Sequence, residues 1–250
     1  MIRVRGRINE TDLLIQTDLL QAARAALTTV QIHRIYLETY IRRNPLFLAS
    51  LEPVEVEANA PEVVKRMTEA AFVANVGPMA AVAGALADLA VEAMGEVGAK
   101  VRVVENGGEI AAISEKDMIV GVYAGTSPLS GKIGFQISHL DMPIGIGTSS
   151  ATVGHAINFG EADSVTVFTN NATLADAAAT AISNAVVGRD FEASIQRGLE
   201  VAETIPEVRG AFIIRGKHVG SVGNIPKPVK ITDTLDVLQF KSLYASPVVG

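Results

Sequence analysis

The hydrophobic positions of the chain recur with the period of a strand in some segments and with the period of a helix in others. Apolar residues recur at helical spacing over 18–40, where Asp18 is placed to cap the helix, and over 62–72, just after Pro61. Residues 54–57 alternate as a half-buried strand does, and residues after 226 are expected to be irregular. The other predicted strands are 3–8, 12–16, 100–105, 109–114, 118–123, 133–138, 144–148, 164–168, 210–215 and 218–222, and the other predicted helices are 79–97, 173–187 and 191–204.

Short turns and two alanine-rich helices indicate the fold class. Several strands are joined by turns, so the pattern favours an α+β fold with antiparallel sheets packed against the alanine-rich helices, rather than a doubly wound α/β fold. No shift in composition marks a linker, and residues 1–250 are expected to form one domain. Each half contains a polar or glycine-rich loop, an alanine-rich helix and nearby strands, which suggests an internal duplication.

Composition narrows the class of function. Of the 250 residues, 48% are hydrophobic but only 5% are aromatic, so the chain can bury a core and is not disordered. The formal net charge of −6 gives no footprint for nucleic acid. The absence of Cys excludes a disulfide scaffold, a thiol nucleophile and cysteine-ligated metals, and the four His residues are too scattered for a helical metal motif.

The sequence predicts a cytoplasmic protein with no membrane partner. The basic N-terminus is not followed by the apolar region of a signal peptide. The longest apolar stretch, 79–94, is interrupted by Gly84, Asp88 and Glu92 and falls short of the roughly 20 residues that cross a bilayer.

A glycine before a helix and a Gly-Gly pair between strands are the first two candidate sites. Gly77, followed by Met79, opens a helix whose free N–H groups suit an anion such as phosphate, although it could be only a helix start. Asn106 and Gly107 predict a hairpin turn, which leaves Gly108 unexplained. A second interpretation, a ligand that approaches the glycine backbone closely, would explain Gly108, and both interpretations of this segment stay open.

Two further segments carry oxygen-rich side chains. Thr148, Ser149 and Ser150 could line a phosphate or ribose pocket, and His155 could exchange a proton near neutral pH or be structural. Asp176 and Thr180 share one face of a helix, where two hard oxygens suit Mg²⁺ or Ca²⁺. The competing interpretation makes Thr173 the helix cap and Asp176 part of a capping box.

Taken together and in this order, these segments resemble the ApbE-like superfamily, whose characterised members are FAD:protein FMN transferases. The most specific match is the strand-then-helix run in which residues 164–167 are followed by residues 173–176, and the same helix carries the A-D-A-x-x-T motif with Asp176 and Thr180. The segments GPMAAVAG, ENGG and TSS are similar to a shorter, functionally uncharacterised branch of that superfamily. The resemblance covers about residues 70–190 and implies an α+β fold with a nucleotide cleft.

The resemblance also implies cofactors, partners and residue roles. It implies FAD or a related nucleotide, Mg²⁺ bound through Asp176 and Thr180, and transfer of FMN to a Thr hydroxyl of an acceptor protein. His155 would orient the ligand or exchange a proton. The residues expected at the nucleotide are Gly77, Met79, Asn106, Gly107, Gly108, Thr148, Ser149 and Ser150.

The sequence departs from the transferases at two motifs, so three functions stay open. Ala83 stands where the family carries a Lys, and H-x-x-D-P becomes the 155–159 segment, without its acid and proline. The chain could be a Mg²⁺-dependent enzyme acting on FAD or another phosphoanhydride, a non-catalytic flavin or nucleotide binder, or a structural protein that has lost the site. The alanine-rich helices could pack within one chain or across a homodimer.

Overall fold

The computed structural model describes residues 1–151, 159–232 and 237–238, and in these ranges the chain forms two β-sheets and six α-helices. Two short 3-10 helices, Pro78–Ala81 and His139–Asp141, join longer elements. The strands are β1 (Ile2–Ile8), β2 (Thr11–Thr17), β3 (Val101–Asn106), β4 (Glu109–Ser114), β5 (Met118–Gly121), β6 (Ile133–Ile137), β7 (Ile144–Ser149), β8 (Ser164–Thr169), β9 (Gly210–Arg215), β10 (His218–Gly223), β11 (Lys227–Lys230) and β12 (Val237–Leu238). The helices are α1 (Leu20–Arg43), α2 (Pro45–Ala49), α3 (Glu62–Ala74), α4 (Val82–Glu96), α5 (Ala172–Ala185) and α6 (Phe191–Thr204).

The larger sheet has eight strands in the order β1-β2-β3-β4-β7-β8-β9-β10, and every neighbouring pair in it is antiparallel. The smaller sheet has the order β11-β6-β5-β12, in which only the β5–β12 pair is parallel. The predicted α+β class with antiparallel sheets is therefore confirmed.

The central strands of the larger sheet are covered on both faces, whereas the edge strands β1 and β10 alternate between partly buried and exposed residues. On one face, Ile15 and Val104 pack against the helices that precede β3, and Val165 and Ile213 pack against α5 and α6. On the other face lies the smaller sheet, whose Phe135 stacks edge-to-face on Phe168 at 4.9 Å and on Phe212 at 5.4 Å between ring centroids. With both faces buried, the central strands β8 and β9 need few polar positions.

The two halves of the larger sheet repeat one order of elements. Strands β1 and β2 precede helices and then β3 and β4, and strands β7 and β8 precede α5 and α6 and then β9 and β10. The halves meet where β4 pairs with β7. We propose the expected internal duplication as the origin of this repeat, within one domain.

Two predictions at the helix and strand boundaries are wrong. Residues 54–57 form no strand, because no neighbouring strand pairs with their backbone groups. Asp18 does not cap α1, whose cap position is Leu19. The Asp18 carboxylate instead accepts the N–H groups of Lys100 and Val101 at 3.0–3.3 Å, which ties the start of α1 to the start of β3.

The chain after residue 226 is also more regular than its sequence suggests. Lys227–Lys230 forms β11, which pairs with β6. Its Pro228 lies on the outer strand of the smaller sheet, where a missing N–H is tolerated.

One helical stretch of the described residues, Pro78–Glu96, is long and apolar enough to cross a membrane, with 56% of its apolar window buried. The expectation that this stretch falls short of such a length is therefore corrected. Its helix α4 packs against α1, α5 and β3, so the apolar residues form the core of this fold.

Candidate functional site

The Gly-Gly turn between β3 and β4 lies one residue later than the predicted turn. Asn106 pairs with Glu109, which leaves Gly107 and Gly108 as the two turn residues. Their φ angles of 66° and 128° lie in the left-handed region that favours glycine. Asn106 itself is buried, and its side-chain amide donates to the Ala83 carbonyl oxygen at 3.0 Å. The turn is thereby fixed against the start of α4.

Asp176 on α5 also bonds to the start of α4. Its Oδ2 accepts the N–H of Gly84 at 2.9 Å, and the N–H of Ala83 also bonds to this carboxylate. These N–H groups belong to the first turn of α4, where they have no partner within their own helix. Asp176 is half-buried, and Thr180 follows it one helical turn later, also half-buried.

Glu109 is the second carboxylate of the site. Its side chain is 7% exposed, and the carboxylate accepts the N–H of Thr148 on β7. Asp176 and Glu109 interact electrostatically, and we call them the carboxylate pair. Among the ion pairs of the described residues, none includes either member. In the described residues, these two neighbouring acidic groups therefore have no basic side chain in an ion pair with either of them.

This environment shifts the pKa of both carboxyl groups upward. Burial raises the pKa of Asp176 to about 7, although the N–H groups of Gly84 and Ala83 act in the opposite direction. Burial and then the charge of Asp176 raise the pKa of Glu109 well above its ordinary value of 4.5. Both shifts come mainly from burial, which disfavours the charged form of each carboxyl group, and the charge of Asp176 adds to the shift of Glu109.

A third carboxylate, Asp88, holds the start of α5. Its oxygens accept the N–H of Ala172 at 2.9 Å and both the N–H and the hydroxyl of Thr173 at 2.8 and 2.5 Å. The N-cap residue of α5 is Asn171, whose side chain accepts the N–H of Leu174. The predicted capping box of Thr173 with Asp176 is therefore wrong, because Thr173 lies inside the helix and donates to Asp88.

Three glycines allow the backbone of α5 to lie directly on its neighbours. A Cβ added to Gly84 would lie 2.1 Å from the Ala172 carbonyl oxygen, and one added to Gly147 would lie 2.1 Å from that of Ala175. A Cβ on Gly145 would meet Asn171 in the same way. The position of Asp176 is thus set by contacts between main chains of α4, α5 and β7.

The other predicted residues are distributed around this centre. Gly77 is buried against Ser50, whose carbonyl oxygen would lie 1.9 Å from an added Cβ, so its missing side chain serves internal packing. Met79 is half-buried against the helical core. Thr148, Ser149 and Ser150, at the end of β7, are half-buried. His155 lies outside the described residues.

The structure therefore brings together four of the predicted residues around Asp176. Asn106, Gly107, Gly108 and Thr148 lie on the elements that contact or adjoin the carboxylate pair. The sequence reasoning treated Glu109 only as a flank of the turn and Asp88 only as an interruption of an apolar run. One signal could have identified Asp88: it follows Gly84 by four residues, so both lie on one face of α4, the face that contacts the start of α5.

The donor set of the site restricts the metal that fits. In the described parts of the chain, no group of three or more His, Cys, Asp or Glu side chains could hold a metal ion. Two carboxylates with neighbouring hydroxyl oxygens do fit Mg²⁺, which is commonly bound by one or two carboxylates plus phosphate oxygens of a substrate. Water or the phosphate oxygens of a ligand would complete the coordination.

Comparisons with known proteins agree with the fold. The family model described as AbpE bacteria matches residues 2–206. A UPF0280 protein of Methanococcus maripaludis is 48% identical over 233 residues, which cover 92% of this chain and 94% of that protein. The ApbE protein of Thermotoga maritima is similar in structure, with a TM-score of 0.56 and 13% identity over 88% of this chain and 96% of that one.

A second solved structure, the flavinyl transferase ApbE of Pseudomonas stutzeri, has a TM-score of 0.56 with 11% identity, over 88% of this chain and 93% of that one. At these identities the two structures show a common fold. The expected fold is thereby confirmed, and the role of each site residue stays a prediction.

Proposed function

The chain belongs to the family described as AbpE bacteria, and on that premise we propose that it binds a flavin nucleotide together with Mg²⁺ at the carboxylate pair. FAD is the first candidate, and another nucleotide with a phosphoanhydride is the wider class. The likeness to the flavinyl transferase of Pseudomonas stutzeri supports the flavin in this proposal.

The observation that carries the proposal is the buried carboxylate pair without a compensating side chain. Asp176 and Glu109 approach from a helix and a strand, and burial raises the pKa of both. Leaving two such charges uncompensated is unfavourable, and a divalent cation removes the repulsion. The proposal assigns Asp176 and Thr180 as metal ligands and adds Glu109, which interacts electrostatically with Asp176.

The remaining residues serve the nucleotide in this proposal. The backbone of Gly107 and Gly108 lets the ligand approach closely, and the hydroxyls of Thr148, Ser149 and Ser150 bind its phosphate or ribose oxygens. Mg²⁺ polarises the phosphoanhydride when it is bound. His155 orients the ligand or exchanges a proton.

A specific observation favours a second candidate function. Ala83 occupies the position of the family's Lys, and its N–H bonds to Asp176. The segment 155–159 lacks the acid and proline of the transferase motif. The second candidate is therefore a flavin or nucleotide binder without transfer to an acceptor protein, which keeps the metal site and lacks the transfer step.

The test measures binding and turnover separately. Native mass spectrometry of the untreated protein identifies any retained ligand, and thermal unfolding with Mg²⁺, FAD or both measures stabilisation. We expect stabilisation by FAD to require Mg²⁺. Release of AMP from FAD supports the enzyme, and binding without AMP release supports the non-catalytic binder.

The control variants separate loss of the metal from loss of the fold. Asp176→Asn keeps an oxygen for the N–H of Gly84 and removes the charge, whereas Asp176→Ala removes both. Asp190→Asn, at the start of α6, is the matched control, because Asp190 also accepts a first-turn N–H. An Asp176→Asn protein that is folded and still stabilised by Mg²⁺ as the wild type is would contradict the proposal.

A further inference from the structure

The short helix α2 exposes most of its apolar residues. Its sequence, PLFLA, is apolar throughout, yet Phe47 is the one buried residue of this helix. Leu46 and Leu48 are 66% and 53% exposed, and Leu51, just after the helix, is 56% exposed. A surface helix normally turns its apolar side chains toward the core of its own domain. The fold of a single chain therefore leaves these three leucines unexplained.

The apolar surface around α2 continues onto α1 and α3. Phe47 stacks edge-to-face on Tyr40 of α1 at 5.2 Å between ring centroids, and Tyr36, one helical turn before Tyr40, is 50% exposed. On the other side of α2, the carbonyl group of Ser50 packs directly against the segment that follows α3. Phe72, near the end of α3, is also 50% exposed. The exposed side chains therefore lie on elements that contact one another.

Five large side chains of this surface are at least half exposed, and we call them the apolar patch: Tyr36, Leu46, Leu48, Leu51 and Phe72. At about 200 Å² for a large side chain, together they expose roughly 500 Å². This area is close to the upper limit of about 600 Å² for the largest apolar patch of a typical monomer. With a charged rim, it approaches the area of about 800 Å² that each partner of a stable complex buries.

Charges of opposite sign lie at the two ends of α2. Arg42 and Arg43 precede the helix, Glu52 and Glu55 follow it, and all four residues are exposed. In the parts of the chain that the structure describes, none of them forms an ion pair. In a two-fold symmetric dimer one surface faces itself, so an antiparallel arrangement of two α2 helices brings each basic end against an acidic end. The surface is therefore complementary to itself in charge.

We propose that the apolar patch is the centre of a two-fold symmetric homodimer, in which α2 packs antiparallel to α2 of a second copy. Arg42 and Arg43 face the partner's Glu52 and the partner's Glu55, and the same contacts recur at the other end. The alanine-rich helices α4 and α5 stay within each chain, where most of their residues are buried. An anionic membrane suits the surface less well, because Glu52 and Glu55 would face its negative charge. The dimer does not depend on the function proposed above.

Sedimentation velocity of the full chain, over a wide range of protein concentrations at low salt, tests the proposal. We expect an equilibrium between monomer and dimer. Leu46→Gln combined with Leu48→Gln should raise the dissociation constant of the dimer about tenfold or more, without loss of the fold, because both side chains are exposed in one chain. Leu140→Gln is the matched control, since Leu140 is 82% exposed but lies between β6 and β7, and it should leave the dissociation constant unchanged.

An exchange of charges tests the antiparallel arrangement itself. One variant combines Arg42→Glu with Arg43→Glu, and the other combines Glu52→Arg with Glu55→Arg. Each variant alone should be monomeric, because like charges meet at both ends of α2. A mixture of the two should form a heterodimer, because opposite charges then meet at both ends.

Four results would overturn the proposal. They are a wild-type chain that is monomeric at every concentration, a dimer that the leucine variant does not weaken, charge variants that dimerise alone, and charge variants that do not pair when mixed. Vesicles of anionic phospholipid provide the test of the other partner. A monomer that binds these vesicles through Leu46 and Leu48 would replace the second copy with a membrane surface.

Discussion

Asp88 and Asp176 each hold the first turn of the helix on which the other residue lies. Asp88 on α4 accepts the N–H groups of Ala172 and Thr173 on α5, and Asp176 on α5 accepts the N–H of Gly84 on α4. The reciprocal bonds join the two helix starts, so a change in either carboxylate affects both helices.

Removing Asp88 should destabilise the protein more than removing an ordinary helix cap. The Asp88 carboxylate accepts three hydrogen bonds, so Asp88→Ala should lower the free energy of unfolding by about 2 kcal/mol or more. Asp190→Ala is the control, since Asp190 accepts one first-turn N–H and its loss should lower that free energy by about 1 kcal/mol. Urea unfolding measures both, and equal losses would argue against the joint role of Asp88.

Adding one methyl group to Gly147 should severely destabilise the fold. The new Cβ would lie 2.1 Å from the carbonyl oxygen of Ala175, which belongs to a helix backbone that cannot move away alone. Gly147→Ala should therefore lower the free energy of unfolding by about 3 kcal/mol or more. Gly6→Ala is the control on another strand, because its Cβ meets only the flexible end of Leu27. Similar unfolding curves for the two variants would contradict the main-chain contact.

Removing the charge of Glu109 should stabilise the metal-free protein. Glu109→Gln keeps an acceptor for the N–H of Thr148 but ends the repulsion of Asp176. At pH 8 with a chelator, the variant should unfold at a higher temperature than the wild type, and its gain on adding Mg²⁺ should be smaller. Glu115→Gln, at an exposed position, should change neither value. A Glu109→Gln protein that is less stable without metal would show that the repulsion is not significant.

Glu105 should make stability depend on pH. Burial raises its pKa to about 7 from 4.5, although the N–H of Gly108 donates to it at 3.0 Å. The folded chain thus binds more protons than the unfolded chain between these values, and the contribution of Glu105 to stability falls as the pH rises from about 4.5 to about 7. Glu105→Gln should remove this part of the slope, on the order of 2 kcal/mol. Urea unfolding at pH 5 and pH 8 measures it, and an unchanged slope would refute the assignment.

Local patterns predicted most elements and the general position of the site. The helix expected over 173–187 is observed at Ala172–Ala185, so Asp176 and Thr180 do share a helix face. The strand pair that includes Gly210 and His218 is also confirmed. Both features depend on neighbours within a few residues, which periodicity reports directly.

Contacts between distant segments could not be predicted from the same patterns. Asp88 bonds to residues 84 and 85 positions away, and Gly77 packs against Ser50. Glu109 meets Asp176 only because the register of β3 and β4 places it on the helix-covered face. Asp18 was assigned to the nearest helix, while its partners lie at the start of β3. Spacing along the chain does not contain this information.

The close contact of α5 with β7 fixes the position of Asp176, so the length of this side chain determines how far its carboxylate reaches into the candidate site. The glycine Cα atoms of β7 contact the backbone of α5 with no side chain between them. Substitutions elsewhere in the core therefore cannot shift α5 along β7 to compensate for a changed metal ligand. Asp176→Glu would therefore extend the carboxylate by a single methylene from a fixed origin. Comparing the affinities of Mg²⁺ and the larger Ca²⁺ for the two proteins would then report the size of the coordination space directly.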